Sequence, residues 1–362
     1  MNALESQLEY PFGEALPELG TTLEVAPGVR WLRMRLPFAL DHINLWLLRD
    51  EVETDVGTVQ GWSIVDCGIA NAETQGAWEQ VFASALEGLP VLRVIVTHMH
   101  PDHMGNAHWL TERWNVRLWI SASDFDTARL ASQATAGFGG RATADFMASH
   151  GLVDPAAHAQ IVGRSNYYVN MVPKVPATYR RLLDGDRFAI GSGEARTEWR
   201  CLVGYGHAPE HMSLFCERLN VLISGDMVLP RISTNVSVVD VEPEGNPLTL
   251  YLDSLRRSRA LPADALVLPS HGRPFRGLHT RIDQLIAHHD ERFAEVIEAC
   301  GEAPTSAADL LPVLFKRKLD LHQTTFAMGE SIAHLHALWF KGRLKHQRDA
   351  AGVHRFTLAR SA

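Results

Sequence analysis

The sequence predicts an α+β fold in two parts, a large domain over residues 1–300 and a small one over 301–362. Three observations predict it. Strand-like runs gather at both ends of the first 300 residues, with a helical stretch between them. A long amphipathic helix then leads into GEAPTS (301–306), which reads as a linker. The 362 residues are 46% hydrophobic and 21% charged, the balance of an ordinary globular chain too long for one small domain.

Residues 22–70 read as strands and turns. TLEVAPGVRWLRMRL has β-rich runs about the Pro27-Gly28 turn, and INLWLLRD and WSIVDCG continue the style. Residues 74–88 read as a helix. VLRVIVTH (91–98) is short, apolar and β-branched, as a buried strand is. Residues 105–114 then read as helix and VRLWIS (116–121) as strand. From about 122 to 180 the pattern is helical with irregular breaks. An insert of this length is expected to line the active site, with Phe138, Phe146, Tyr167, Tyr168 and Met171 as its apolar surface. Strands return in DRFAI (186–190), EWRCLVG (198–204), NVLISGD (220–226) and ALVLPSH (265–271). The helix over 281–300 puts Ile282, Leu285, Ile286, His289, Phe293, Val296 and Ile297 on one face. After the linker the chain is helical to Lys341, then offers two strand-like pieces, RLKHQ and VHRFTLA.

Thirty-four Lys/Arg against 42 Asp/Glu give a net charge of −8, which argues against a globally basic nucleic-acid binder. The small domain, with nine Lys/Arg and five Asp/Glu, is mildly basic on an acidic body. Cys67, Cys201, Cys216 and Cys300 are scattered, so neither a disulfide framework nor a cysteine zinc site is expected. The acidic, proline-broken N-terminus does not read as a secretion signal, and no apolar run is long enough to span a bilayer. The expected compartment is the cytoplasm.

The central signal is Thr97-His98-Met99-His100-Pro101-Asp102-His103, directly after the apolar strand. Three imidazoles and a carboxylate on one loop can converge on a borderline-soft divalent metal, where a regular strand would alternate them across its faces. Three further motifs follow predicted strands: Gly206-His207-Ala208-Pro209-Glu210-His211, Ser224-Gly225-Asp226 and Pro269-Ser270-His271-Gly272. Strand ends on one sheet edge can point at one place, so seven ligands can assemble from four loops. His211 follows His207 by four residues, so a helical turn would put both on one side, as a catalytic or ligand-supporting pair. Cys67 has no partner motif and reads as a buried apolar residue.

With HxHxDH followed by GH, GD and HG in this order, the sequence resembles the metallo-β-lactamase-fold hydrolases over about residues 25–290. The resemblance implies an αββα sandwich, two facing sheets with helices outside. It assigns His98, His100 and His207 to one metal, Asp102, His103 and His271 to a second, and Asp226 to both. Asp66 matches the family's early aspartate, expected to buttress the metal loop with Thr97. Zinc is the expected metal, with iron or manganese as alternatives. Asp102 is expected to orient a metal-bridging hydroxide as well as to bind metal.

Ser224 stands where one lactamase branch has a Cys ligand, and His100 where flavodiiron proteins have Glu. The chain shares glyoxalase II's ligand set without a matching glutathione-binding end. It is more similar to the subgroup with an appended winged helix, through GHAPEHMSL, PLTLYLDSLRR, LPSHG, the His288-to-Arg292 helix and the tail FAMGESIAHLHALWFKGRLKHQ. The expected activity is therefore hydrolysis of an ester-like bond in a small acyl substrate, a thioester before a lactone. The alternative is a metal-dependent endoribonuclease, a class known among relatives with this tail. In the tail, Ile332, Leu335, Leu338 and Trp339 read as a packing stripe rather than a base-reading surface. All seven ligands precede Gly301, so deleting residues 303–362 is expected to leave the metal site intact.

Overall fold

The structure is a computed structural model that describes residues 4–55, 57–133, 139–164, 166–191, 193 and 196–359. Phe138 lies outside the described residues.

Among them, seven strands form one sheet in chain order: β1 (Leu23–Ala26), β2 (Val29–Arg35), β3 (His42–Thr54), β4 (Gly57–Val65), β5 (Val91–Ile95), β6 (Leu118–Ile120) and β7 (Tyr179–Arg181). β1 to β4 are antiparallel hairpin neighbours, and β4 to β7 run parallel. The parallel half needs crossovers, and α1 (Ala72–Ser84), α2 (Pro101–Met104) and α3 (Ala107–Trp114) provide them. α4 (Ala122–Ala131), α5 (Gly140–Ser149) and α6 (Pro155–Val162) fill the insert before β7. The second sheet holds β8 (Arg187–Ile190), β9 (Thr197–Gly204), β10 (His211–Cys216), β11 (Val221–Gly225) and β12 (Leu266–Pro269), in the order β12-β11-β10-β9-β8. α7 (Pro247–Ser258) and α8 (Leu278–Glu302) cover it.

The hydrophobic clusters define the layers. Trp31, Trp46, Val65 and Ile95 from the first sheet meet Trp199, Cys201, Leu214, Ile223 and Leu268 from the second, forming the core between the sheets. The first sheet's other face packs Leu45, Leu47 and Ile64 against Trp78, Val81, Leu110 and Phe125 of α1, α3 and α4. The second sheet's outer face packs Phe215, Leu222 and Val267 against α7 and α8. A central strand buried on both faces reads as a continuous apolar run, which is why β11 is legible without alternation.

Two local readings are corrected. The helix over 74–88 ends at Ser84, because Glu87 and Gly88 take positive φ and Pro90 follows, turning the chain into β5. His211 does not sit on a helical turn with His207. It opens β10, whose run HMSLFC is paired on both sides, by β9 and β11.

The tail contains α9 (Ala307–Leu314), α10 (Leu321–Phe340) and the antiparallel hairpin of β13 (Leu344–Arg348) and β14 (His354–Leu358). Both helices start in capping boxes, Ser306 with Asp309 and Asp320 with Gln323. α8 continues through Gly301 and Glu302, so residues 303–306 alone connect α8 to α9. Ile332, Leu335 and Leu338 of α10 are buried in the same cluster as Leu248, Tyr251, Leu255, Leu285 and Phe293. Boundary and core therefore differ: the tail has no separate core among these residues.

Candidate metal centre

All seven predicted ligands come together where the strand ends of both sheets meet. Potential ligand atoms of His98, His100, His207 and Asp226 form one group, all within 4.8 Å of one another, and those of Asp102, His103 and His271 form a second on the same criterion. In the first, His98 Nε2 and His207 Nε2 each lie 3.0 Å from His100 Nδ1 and 3.2 Å from each other. Asp226 Oδ2 lies 3.2 Å from His207 Nε2. Four donors at about 2.0–2.1 Å from a tetrahedral zinc stand about 3.3 Å apart, so this spacing fits such an ion. In the second group, Asp102 Oδ2 is 3.4 Å from His271 Nε2 and 3.6 Å from His103 Nε2. Asp226 Oδ1 is 3.5 Å from His271 Nε2 and 3.6 Å from His103 Nε2, so one carboxylate faces both groups.

Buried polar atoms without a hydrogen-bond partner make the same point. His103 Nε2 and Asp226 Oδ1 are two of them, and both point into the second group. A buried polar atom with no partner is costly, and a cation between these atoms satisfies them.

The imidazoles are oriented from behind. His98 Nδ1 lies 3.0 Å from Thr97 Oγ1, His103 Nδ1 2.8 Å from Asp66 Oδ2, His207 Nδ1 2.7 Å from the Asn235 carbonyl and His271 Nδ1 2.7 Å from the His42 carbonyl. An N–H at each Nδ1 satisfies these acceptors and leaves Nε2 as the metal-facing lone pair. His100 alone turns Nδ1 inward.

Asp66 holds the first loop. Its backbone has φ 64, a conformation non-glycine residues seldom adopt, and its side chain is fully buried. The carboxylate accepts Thr97 N–H at 2.8 Å and lies within 3.0 Å of the Thr97 hydroxyl, besides its bond with His103. The expected buttress is therefore in place.

Burial pushes the His98 and His100 imidazoles down, with neighbouring imidazoles adding to the effect, His100 to about 3; both are neutral, as ligands must be. Burial would also lower His271, but Asp226 and Asp102 outweigh it and raise it to about 10. Asp102 responds inversely: burial raises it, His103 and His271 lower it more, and it settles at about 2.

His211 is fully buried, and its Nε2 accepts the Asp226 backbone N–H at 3.1 Å. Gly225 makes room for this contact, since a Cβ there would stand 2.2 Å from that nitrogen. Cys67 is fully buried, and burial raises its thiol well above the usual range. Of the expected insert surface, Phe146 and Tyr168 are buried and Met171 is partly buried against the core, while Tyr167 is half-buried.

Sequence reasoning missed Asp124. Fully buried, it accepts Met99 N–H at 2.8 Å and Glu210 N–H at 2.7 Å, so it grips both ligand loops. Its only signal was Ser121-x-x-Asp124, a helix-cap pattern, and Ser121 does cap α4 by accepting the Asp124 N–H.

Residues 43–271 match the family model described as the metallo-beta-lactamase superfamily, and residues 293–359 match the one described as metallo-beta-lactamase-like, C-terminal domain. The crystal structure of a beta-lactamase domain protein from Burkholderia ambifaria is similar at 55% identity and TM-score 0.92, over 99% of this chain and 100% of that one. That of a metallo-beta-lactamase family protein from Thermus thermophilus is similar at 25% identity and TM-score 0.75, over 92% of this chain and 100% of that one. The probable metallo-hydrolase YqjP of Bacillus subtilis (strain 168) is 24% identical over 318 residues, which is 85% of this chain and 91% of that protein. With two groups of His and Asp side chains brought together and more than half its length matched, the chain belongs to the metallo-beta-lactamase superfamily.

Proposed function

We propose that the protein hydrolyses an ester-like bond in a small acyl substrate, a thioester before a lactone. The observation that carries this reading is the pair of adjacent ligand groups sharing Asp226. The half-buried Tyr167, next to the Tyr168 whose hydroxyl is bonded to the Met99 carbonyl, and a net charge of −8 favour an organic acyl group over a polyanion.

His98, His100, His207 and Asp226 would hold one divalent cation, and Asp102, His103, His271 and Asp226 the other, with zinc the expected metal. Two such cations, when bound, supply Lewis acidity and a water of lowered pKa. The chain's own residues do the rest. Asp102 is ionised at neutral pH, and its side chain is 18% exposed, against 10% for Asp226. Its carboxylate is thus placed to accept a hydrogen bond from the attacking water and fix its direction. Asp226 stays anionic between the two groups, and His211 fixes its backbone, which makes His211 a positioning residue. No protein nucleophile is needed, and the buried Cys67 thiol offers none.

We read the tail as winged-helix-like and as a wall of the site rather than a base reader. Ile332, Leu335 and Leu338 are buried, while Lys316, Arg317, Lys318, Lys341, Arg343 and Lys345 are exposed. The test is a parallel assay of metal-loaded protein with acyl-coenzyme A, acyl-glutathione, lactones and single-stranded RNA. Thioester turnover above lactone turnover, lost in Asp102→Asn, is the expected result. RNA cleavage without acyl hydrolysis would replace this reading with the nuclease one.

A further inference from the structure

Four half-exposed rings from three distant segments meet, and two of those segments are hydrogen-bonded to the loops that carry candidate ligands. His322, in the first turn of α10, is the hub. Phe38 stacks on it at 5.9 Å between centroids and 16° between planes. Tyr167 lies 5.6 Å away, tilted at 43°, and Phe326 packs edge-on at 5.0 Å. Phe326 is 45% exposed, and the other three are intermediate.

Both non-tail segments are tied to ligands. Phe38 lies four residues before His42, whose carbonyl accepts from His271 Nδ1 and whose ring accepts Gly272 N–H at 2.9 Å. Tyr167 precedes Tyr168, whose hydroxyl donates at 2.6 Å to the carbonyl of Met99, between the ligands His98 and His100. Burial, reinforced by Arg164, lowers His322, so its ring is neutral at pH 7 and stacks as an apolar face.

Four rings left partly open, on segments bonded to the candidate ligand loops, offer a substrate a surface that a packed core does not. Ring faces and edges offer a planar group stacking that an alkyl chain cannot match. We propose that Phe38, Tyr167, His322 and Phe326 form a specificity wall that takes an aromatic acyl group of the substrate, with the tail supplying half of it. The assignment rests on the acyl-hydrolase reading above and extends it to a substrate class.

The test has two readouts on the metal-loaded full chain. The first is calorimetric binding of phenylacetate and of acetate. The second is kcat/KM for phenylacetyl and acetyl thioesters of one thiol. Phenylacetate is expected to bind about tenfold tighter than acetate. Phe326→Leu keeps apolar volume on an exposed site while removing the ring, and should lower that preference about threefold; His322→Ala with Phe326→Ala should abolish it. Leu183→Ala, an exposed apolar residue elsewhere, should leave the preference in place. Preference for phenylacetate that follows these rings supports the wall even if no thioester is turned over, in which case the reaction assignment alone fails. Equal losses for both acids, or an unchanged preference in variants with normal metal content and circular dichroism, would overturn the wall.

Discussion

Asp124 and Glu210, 86 residues apart, are joined by a 2.7 Å hydrogen bond in which the Glu210 N–H donates to the buried carboxylate. Asp124's other oxygen takes the N–H of Met99. One side chain thus sets the spacing of the loop that carries His98, His100, Asp102 and His103 against the loop that carries His207. Asp124→Asn replaces one acceptor oxygen with an NH₂ facing an N–H donor. Leaving a buried donor unmet costs about 1–3 kcal/mol. The expected outcome is weaker metal retention and a lower melting temperature, with Asp124→Ala worse. Metal content after dialysis and thermal melts check it; full occupancy in Asp124→Ala would rule the linkage out.

This residue shows where the sequence stops being legible. The candidate ligands stand out because metal binding demands rare residue types at strand ends, and HxHxDH has no competing structural use. Asp124 has one, because a serine and an aspartate three apart cap a helix anywhere. Spacing of four puts His211 on the right side of His207 for the wrong reason, since it looks helical until β9 and β11 pair with the segment. The wall residue Phe38 carries no local signal at all. Its stacking partner His322 lies in α10, and only tertiary packing brings the two together.

Two metals per chain are expected by elemental analysis after supplementation. His98→Ala should lose the first. Asp226→Ala should weaken both, because its two oxygens face different groups. Titration calorimetry on each variant distinguishes these outcomes; loss of one site alone in Asp226→Ala would contradict the shared carboxylate.

Metal binding should release protons. Against burial, Asp226 and Asp102 raise His271 to about 10, and Asp66, Asp102 and Asp226 raise His103 well above its usual value. At pH 7 both rings are protonated before a cation enters, and ligation requires them neutral. Apparent affinity must therefore rise with pH across the range below about 10. Titrations in buffers of different ionisation enthalpy read the protons directly, and an enthalpy independent of buffer would contradict the assignment.

Acid should unfold the metal-free protein through other histidines. Burial lowers His289 to about 2, with His334 adding, and burial lowers His334 to about 4 and His150 to about 3. An unfolded histidine titrates near 6.5, so below that pH the unfolded chain takes up protons that the fold refuses. Their contribution is fully present above about 6.5 and is lost as pH falls toward 4. Urea midpoints measured in chelator at pH 7.5, 6 and 5 should drop in that order. His334→Leu, which still fills its site, should flatten the slope.

Deleting residues 303–362 should damage the metal centre, contrary to what ligand positions alone suggest. Every ligand precedes the cut, yet the cut passes through a shared core. It would expose Leu248, Tyr251, Leu255, Leu285 and Phe293, which α10 covers. At roughly 25 cal/mol per Å² of apolar surface, losing that cover costs a sizeable share of the about 5–15 kcal/mol by which a domain is stable. The damage also has a direct route to the site. α10 packs on the segment after β11 so closely that a Cβ on Gly329 would stand 2.6 Å from Ser237 Cβ, and the Gly329 carbonyl accepts Val238 N–H at 3.2 Å. Two residues before Ser237, the Asn235 carbonyl holds His207 Nδ1. The truncated chain should therefore be poorly soluble or bind metal weakly at the first group. Gly329→Val in the full chain isolates the second effect, because it pushes on Ser237 while leaving the core covered. It should lower affinity for one metal and not the other; unchanged affinity for both in a folded Gly329→Val protein would show that the tail stabilises the sandwich without positioning His207.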